Sequence, residues 1–419
     1  MTALSTERPS RPFDIVVWGA TGFTGRLVAD YLAAQPNVHF AIAGRNRSKL
    51  EAVRTAIATK HPARAALPIL IGEAHDDESL DRIAKATRVM CATVGPFAEH
   101  GLPVVAACVR NETDYCDITG EAHYIRRLID AHHDEAVLKC VRIVPSCGFD
   151  SIPSDLGTFV LAEHALGSRG RALSEVRAYV WGARGGVSGG TATTMVTIFD
   201  VAAKDKAARR VLGDPYALSP DRANDLNTDG RDAMTPSWDS DAGGWTAPWV
   251  MGSINSRVVR RSNALFSHRY GKTFRYSESL FMRGRIVGAV KAAATSAAMG
   301  AVGVTLALSG TARKLALRML PSSGEGPSES TRASGYFKLR FLGVLEGDTR
   351  ASVVATVTGQ GDPGYAATSR MVAQAAMCLA LDPPIGGFEG GVLTPATAMG
   401  TQLVERLKKA DFTFEVSNL

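Results

Sequence analysis

Residues 13–47 read FDIVVWGATGFTGRLVADYLAAQPNVHFAIAGRNR. Residues 15–18 are a short apolar run, the pattern of a strand buried on both faces. Gly19, Gly22 and Gly25 follow at three-residue spacing, giving G-x-x-G-x-x-G. Behind them Leu27 and Tyr31, and Val28 and Leu32, stand at i,i+4 positions on one face of a helix. Residues 38–43 read as a second buried strand. The stretch is thus one βαβ unit with a glycine turn at its first strand-to-helix junction. Glycines there permit a tight turn and close approach of a pyrophosphate, whose charge the N–H groups at the helix start hold. The candidate dinucleotide loop is Gly19, Ala20, Thr21, Gly22, Phe23, Thr24 and Gly25. Its spacing departs from G-x-G-x-x-G; the strand before it and the helix after it carry the reading.

The end of the second strand bears on which dinucleotide is held. A site for NAD places Asp or Glu about 20 residues on, against the ribose 2′-OH. Here the chain reads Ala43-Gly44-Arg45-Asn46-Arg47, with no acid. A guanidinium suits a 2′-phosphate by charge and by bidentate geometry. Arg45 and Asn46 are therefore the candidate 2′-phosphate residues, and the cofactor reads as NADPH. Ser48 with Glu51 forms a capping-box pattern for the next helix, which predicts that residues 45–47 lie in the loop before it.

Strand and helix patterns continue to alternate. Strands are predicted at 67–71, 89–94, near Tyr115 and at 141–144, the last completing the sheet. Ligands sit at the carboxyl ends of strands in such a sheet, which adds Val94, Gly95 and Pro96 to the cofactor candidates. The expected fold is α/β: an N-terminal Rossmann domain, doubly wound on a parallel sheet, then an α+β domain on a mainly antiparallel sheet. The expected division is a flexible arm at 1–12, a cofactor domain at 13–150, a substrate domain at 151–390, and a C-terminal segment at 391–419 that returns to the first domain.

Composition narrows the function. The 419 residues are 45% hydrophobic and 21% charged, ordinary for a globular chain. A net charge of +6 without basic runs argues against nucleic acid and suits phosphate-bearing ligands or an acidic carrier protein. Six cysteines without C-x-x-C spacing read as reduced thiols, hence a cytoplasmic location. Residues 1–12 are polar and lack the apolar core of a signal peptide. His132 and His133 show no H-E-x-x-H spacing, so no metal is expected.

Eight strings spread along the chain carry a resemblance: GATGFTGR, AGRNRSKL, TVGPFAEHG, DYCDITGE, CGFDSIPSD, RVVRRSNAL, GDPGYAAT and GVLTPATAMG. The chain resembles the saccharopine dehydrogenase-like oxidoreductases, and more closely the trans-acting enoyl reductases. The resemblance implies reduction of a double bond on an acyl chain held by a modular polyketide synthase, in phthiocerol-type lipid biosynthesis. The partner it implies is a carrier- or synthase-bound lipid substrate.

Reducing an enoyl thioester requires stabilisation of the developing enolate and a proton for the adjacent carbon. Asp150 and Ser151, at the turn after the last Rossmann strand, are the catalytic candidates; Ser154 and Asp155 also fit helix caps. Asp117 and Glu121 fit either nicotinamide orientation or turn fixation, and Tyr115 and Tyr365 are alternative proton donors. Residues 212–250 read as a long loop whose Trp238, Trp245 and Trp249 line an acyl groove or pack locally. Residues 292–309 carry no charge and are flanked by Arg283, Arg285, Lys291, Arg313, Lys314 and Arg318. They read as a buried or interfacial helix, with a basic rim open to anionic lipid and peripheral membrane contact. Two alternatives stay open: a reductase of a small carbonyl or imine, and a non-catalytic NADP-binding protein of the lipid surface.

Overall fold

The computed structural model describes residues 10–185, 189–220, 225, 234–319 and 326–419. The chain forms two seven-stranded sheets. The first takes β1 (Phe13–Trp18), β2 (Phe40–Gly44), β3 (Ile69–Ile71), β4 (Thr87–Ala92), β5 (Asp114–Asp117) and β6 (Arg142–Val144). The second takes β7 (Leu173–Arg184), β8 (Ser237–Asp239), β9 (Gly244–Pro248), β10 (Arg275–Met282), β11 (Tyr336–Leu345) and β12 (Val353–Gln360). The last two strands, β13 (Gly391–Val392) and β14 (Phe412–Asn418), go one to each sheet.

The first sheet is parallel, in the order β13-β6-β5-β4-β1-β2-β3. Strand β1 shows why the apolar run is continuous. Ile15 and Val17 face one side of the sheet, and Val16 and Trp18 face the other, all within the core. Helices Phe23–Ala33 and Arg47–Lys60 cover the first side with Val28, Leu32, Leu50 and Val53. Helices Asp77–Lys85, Phe97–Arg110 and Ala122–Leu138 cover the second with Leu80, Val104 and Leu128. Successive strands run outward from β1 through β2 to β3, then restart at β4 on its other side. The switch point of the winding therefore lies between β1 and β4.

Two findings differ from the sequence reading. The strand at Arg142–Val144 does not complete the sheet; β13 pairs beyond it, Gly391 opposite Arg142 and Val392 opposite Ile143. The helix Thr368–Leu381, placed in the second domain by sequence, packs its Val372, Ala373 and Ala376 into the core under β1, β4 and β5. The boundary at residue 390 is thus crossed. The C-terminal segment also divides: β13 joins the first sheet, while β14 pairs antiparallel with β12 in the second.

A buried ion pair fastens this crossing. Arg142 donates to Asp114 at 2.5 and 3.0 Å and to the Leu379 carbonyl at 2.6 Å. Replacing Arg142 with Met takes a buried cation from a buried carboxylate, and we expect a loss of about 3–5 kcal/mol in urea unfolding.

The second sheet runs β14-β12-β11-β7-β10-β9-β8 and is antiparallel except for the β7–β10 pair. The stretch read as a long loop contains the β8–β9 hairpin, which extends this sheet. Trp238 and Trp245 meet edge to face across it at 5.9 Å, and the Trp245 indole donates to the Arg285 carbonyl. They pack on each other rather than opening a groove. Residues 221–224 and 226–233 of the same stretch lie outside the described residues. The segment before them is held by the arginines of RVVRRSNAL. Arg257, Arg260 and Arg261 donate to the carbonyls of Asp214, Pro215 and Leu218.

The uncharged stretch forms the helix Ile286–Leu308, followed by Gly310–Met319. Of the two expected settings, buried or interfacial, burial is overturned: only Gly288 and Ala292 of the longer helix are buried. Ala, Gly, Ser and Thr offer little area to a core, so composition alone did not commit the helix to the interior.

Candidate active site

The glycine turn sits at the switch point. Gly19 has φ +88°, a left-handed conformation that suits glycine, and its N–H donates to the Ala43 carbonyl at 3.0 Å. A Cβ on Gly19 would stand 2.4 Å from the Val94 side chain, and one on Gly25 would stand 2.3 Å from the Gly19 carbonyl. These two glycines therefore serve packing. Gly22 differs: a Cβ there meets only the Gly19 oxygen, at 3.3 Å, and otherwise points into open space. Gly22 caps the helix Phe23–Ala33 without a side chain, and its first turn holds no acid. Ala20, Thr21 and Thr24 complete a turn whose leading N–H groups suit an anion.

At the end of β2, Arg45 is exposed, and its side chain has no ion pair or hydrogen bond among the described residues. Asn46 caps the next helix by accepting from the Lys49 N–H at 2.9 Å. The Ser48–Glu51 capping box is therefore corrected: the helix begins at Arg47, and only Arg45 and Asn46 precede it. Asn46 wins because its shorter reach from the N-cap satisfies the N3 donor directly.

Across the switch point, the Thr93 hydroxyl donates to the Trp18 carbonyl at 3.1 Å, and Val94, Gly95 and Pro96 lead into the helix Phe97–Arg110. Glu121 accepts from the N–H groups of Phe97 and Ala98, both at 2.9 Å, and so fixes this loop. Asp117 accepts from the Thr119 and Ser146 N–H groups and from the Tyr115 hydroxyl. Both acids are turn fixers, and the fully buried Tyr115 is committed to Asp117. Tyr365 lies beside the glycine turn, its ring edge-on to Phe23 at 4.6 Å, and its hydroxyl accepts from the Gly189 N–H.

Asp150 stands in the turn between β6 and the helix Ile152–Arg169. Its carboxylate makes no hydrogen bond or ion pair among the described residues. It faces Gly120, where a Cβ would lie 3.8 Å from Asp150 Oδ2 and 3.5 Å from the Met251 methyl. Burial raises its proton affinity, to a pKa of about 7. Ser151 is placed otherwise. It is fully buried and donates to Asn255 Oδ1 at 3.0 Å. Asn255 in turn donates to Ser154 and to Glu278, which also accepts from the Tyr276 hydroxyl. Sequence reasoning missed Asn255 and Glu278, because nothing local marks a bond that joins residues a hundred positions apart. Asp155 does not cap its own helix. It accepts from the Ser262 hydroxyl at 2.5 Å and from the Ala396 N–H at 2.8 Å, so it supports the first turn of the helix Pro395–Lys409, whose cap is Thr394.

The candidates follow the carboxyl edge of the first sheet in strand order: Asp150 after β6, Gly120 after β5, residues 93–96 after β4, the glycine turn after β1 and Arg45 after β2. Four inter-strand steps separate the ends, roughly 19 Å at about 4.8 Å each. Among the described residues no group of three or more His, Cys, Asp or Glu is gathered for a metal. Cys147 is buried and donates to the Val144 carbonyl.

A Rossmann cleft with a glycine turn, an open helix start and an exposed arginine at the ribose end defines a dinucleotide-dependent oxidoreductase. Residues 15–142 match the family model of the saccharopine dehydrogenase NADP binding domain, and the chain binds NADP(H) there. Over 97% of its length the fold is similar to apo saccharopine dehydrogenase (L-Glu forming) of Saccharomyces cerevisiae, which is covered in full, with a TM-score of 0.54 at 14% identity. The trans-acting enoyl reductase of Mycobacterium leprae is 36% identical over 421 residues, covering 98% of this chain and 99% of that protein. A Mycobacterium tuberculosis protein provisionally given the same name is 39% identical, with 98% of each chain covered. The chain belongs to the trans-acting enoyl reductase family, oxidoreductases that act on carbon–carbon double bonds.

Proposed function

We propose that this protein reduces the double bond of an α,β-unsaturated acyl thioester presented on an acyl carrier or polyketide synthase, in lipid biosynthesis of the phthiocerol type. The observation that carries the chemistry is the place of Asp150: its carboxyl makes no hydrogen bond or ion pair among the described residues, stands beside Gly120 at the end of the cleft opposite Arg45, and is raised in proton affinity by burial. The cofactor, when bound, supplies the hydride. The chain's own residues do the rest. Gly22 and the helix start hold the pyrophosphate, Arg45 holds the adenosine 2′-phosphate, and the loop at Val94–Pro96, fixed by Glu121, flanks the nicotinamide half. Asp150 delivers the proton to the carbon next to the thioester carbonyl. Ser151 braces the turn that aims it. The net charge of +6 suits an acidic carrier. All six cysteines are free, which supports a reducing, cytoplasmic setting.

NADPH is expected to bind more tightly than NADH, with Arg45→Ala removing most of the difference. A charge-assisted contact of about 1.5–3 kcal/mol corresponds to roughly 10- to 150-fold in affinity. Calorimetry on both proteins checks this, and equal affinities in the wild type would sink it.

The substrate is tested by NADPH oxidation with enoyl thioesters of rising chain length, free and carrier-bound. Rates that climb with length and with carrier attachment are expected. The exposed apolar helix favours a second reading, an NADP-binding protein of the lipid surface without turnover. NADPH binding with no oxidation across the panel would select it.

A further inference from the structure

The helix Ile286–Leu308 and the short helix Gly310–Met319 form a hairpin that the fold leaves largely uncovered. Ile286 is 80% exposed, Leu308 83% and Met319 78%. Large apolar side chains are thus exposed from one end of the segment to the other, and so much apolar surface left in water marks an interaction site. The charge on the hairpin has one sign. From residue 279 to residue 324 the sequence contains no Asp or Glu, and it contains six Arg or Lys. Arg313 serves the fold, donating to Asp200 and to the Leu306 carbonyl. Arg283, Arg285, Lys291, Lys314 and Arg318 are exposed and pair with no carboxylate among the described residues.

We propose that this hairpin docks the protein on a bilayer surface that carries anionic headgroups. The apolar side chains enter the headgroup boundary and the five exposed cations meet the lipid charge. A second copy of the chain fits less well. Two such hairpins face to face would set cation against cation with no carboxylate in the segment to offset them. The helix is about 35 Å long by its 23 residues. It lies in the interface rather than across it, because Lys291 interrupts it and Gly288 and Ala292 anchor one side to the protein. The hairpin leans on the helix Gly189–Lys204, whose first N–H bonds to Tyr365 beside the glycine turn. The helix that carries the hairpin thus also touches the wall of the glycine turn at its other end. The inference stands without the reading of the substrate.

The test is flotation of the full chain with vesicles of phosphatidylcholine alone or with about one third phosphatidylglycerol, at low salt. Binding to the anionic vesicles is expected, weakened by added salt. Lys314→Gln with Arg318→Gln should lower affinity roughly 25-fold, about fivefold per cation removed. Val290→Asp with Val302→Asp should abolish binding. NADPH titration of each variant verifies that it is folded. Equal binding to both vesicles, or none to either by a protein that still binds NADPH, would overturn the proposal. Concentration-dependent dimers that the Asp variants dissolve, without vesicle binding, would assign the surface to a second copy instead.

Discussion

Asp150→Asn is expected to lower kcat for enoyl thioester reduction by about 10²–10⁴-fold, the range for loss of a positioned general acid. NADPH affinity should hold, because Arg45 and the glycine turn lie at the other end of the sheet edge. The pH dependence follows from the sign of the shift. Burial raises the carboxyl to a pKa of about 7, so the group is protonated below that pH and loses its proton above it. In the wild type kcat should be flat below about pH 7 and fall up to tenfold per pH unit above it. In Asp150→Asn that fall should vanish along with most of the rate. A variant that keeps both the wild-type kcat and its pH profile would remove Asp150 from the chemistry.

Gly22→Val should abolish NADPH binding in a protein that still folds. The added Cβ meets only the Gly19 oxygen, at 3.3 Å, yet its methyl groups fill the space that the pyrophosphate needs. Gly25→Val makes the contrast. There the Cβ would strike the Gly19 carbonyl at 2.3 Å, so the helix must leave its strand and stability falls with binding. Calorimetry with NADPH, beside thermal unfolding, separates the two. Retained binding in folded Gly22→Val would show that the pyrophosphate lies elsewhere.

Much of the first sheet was legible because its strands are buried on both faces and therefore continuous in apolar residues, as Ile15 to Trp18 are. The glycine turn and Arg45 were legible because their roles depend on backbone space and charge at fixed offsets from a strand. Strand β13 was not, since two residues carry no period. The helix Thr368–Leu381 was recognisable as a helix, but periodicity does not say which sheet a helix covers. The Asn46 cap was obscured by a competing pattern that begins two residues further on. The β8–β9 hairpin did leave a signal, the turn-rich Asp241-Ala242-Gly243-Gly244 between short runs with Trp. Asp150 was found by its place after the last predicted Rossmann strand, whereas the burial that tunes it comes only with the fold, which sets Gly120 beside its carboxylate.

The crossing of Thr368–Leu381 and β13 into the first sheet has a consequence for synthesis. While the ribosome is still making the second half, the cofactor sheet has an uncovered patch under Ile15 and Val17 and an open edge at β6. The patch closes only once residue 381 has emerged and the edge only once residue 392 has, so the dinucleotide site matures well after its own residues have been made. A message truncated anywhere before that point yields a sticky half-sheet, prone to pairing with its neighbours, rather than a small autonomous nucleotide binder.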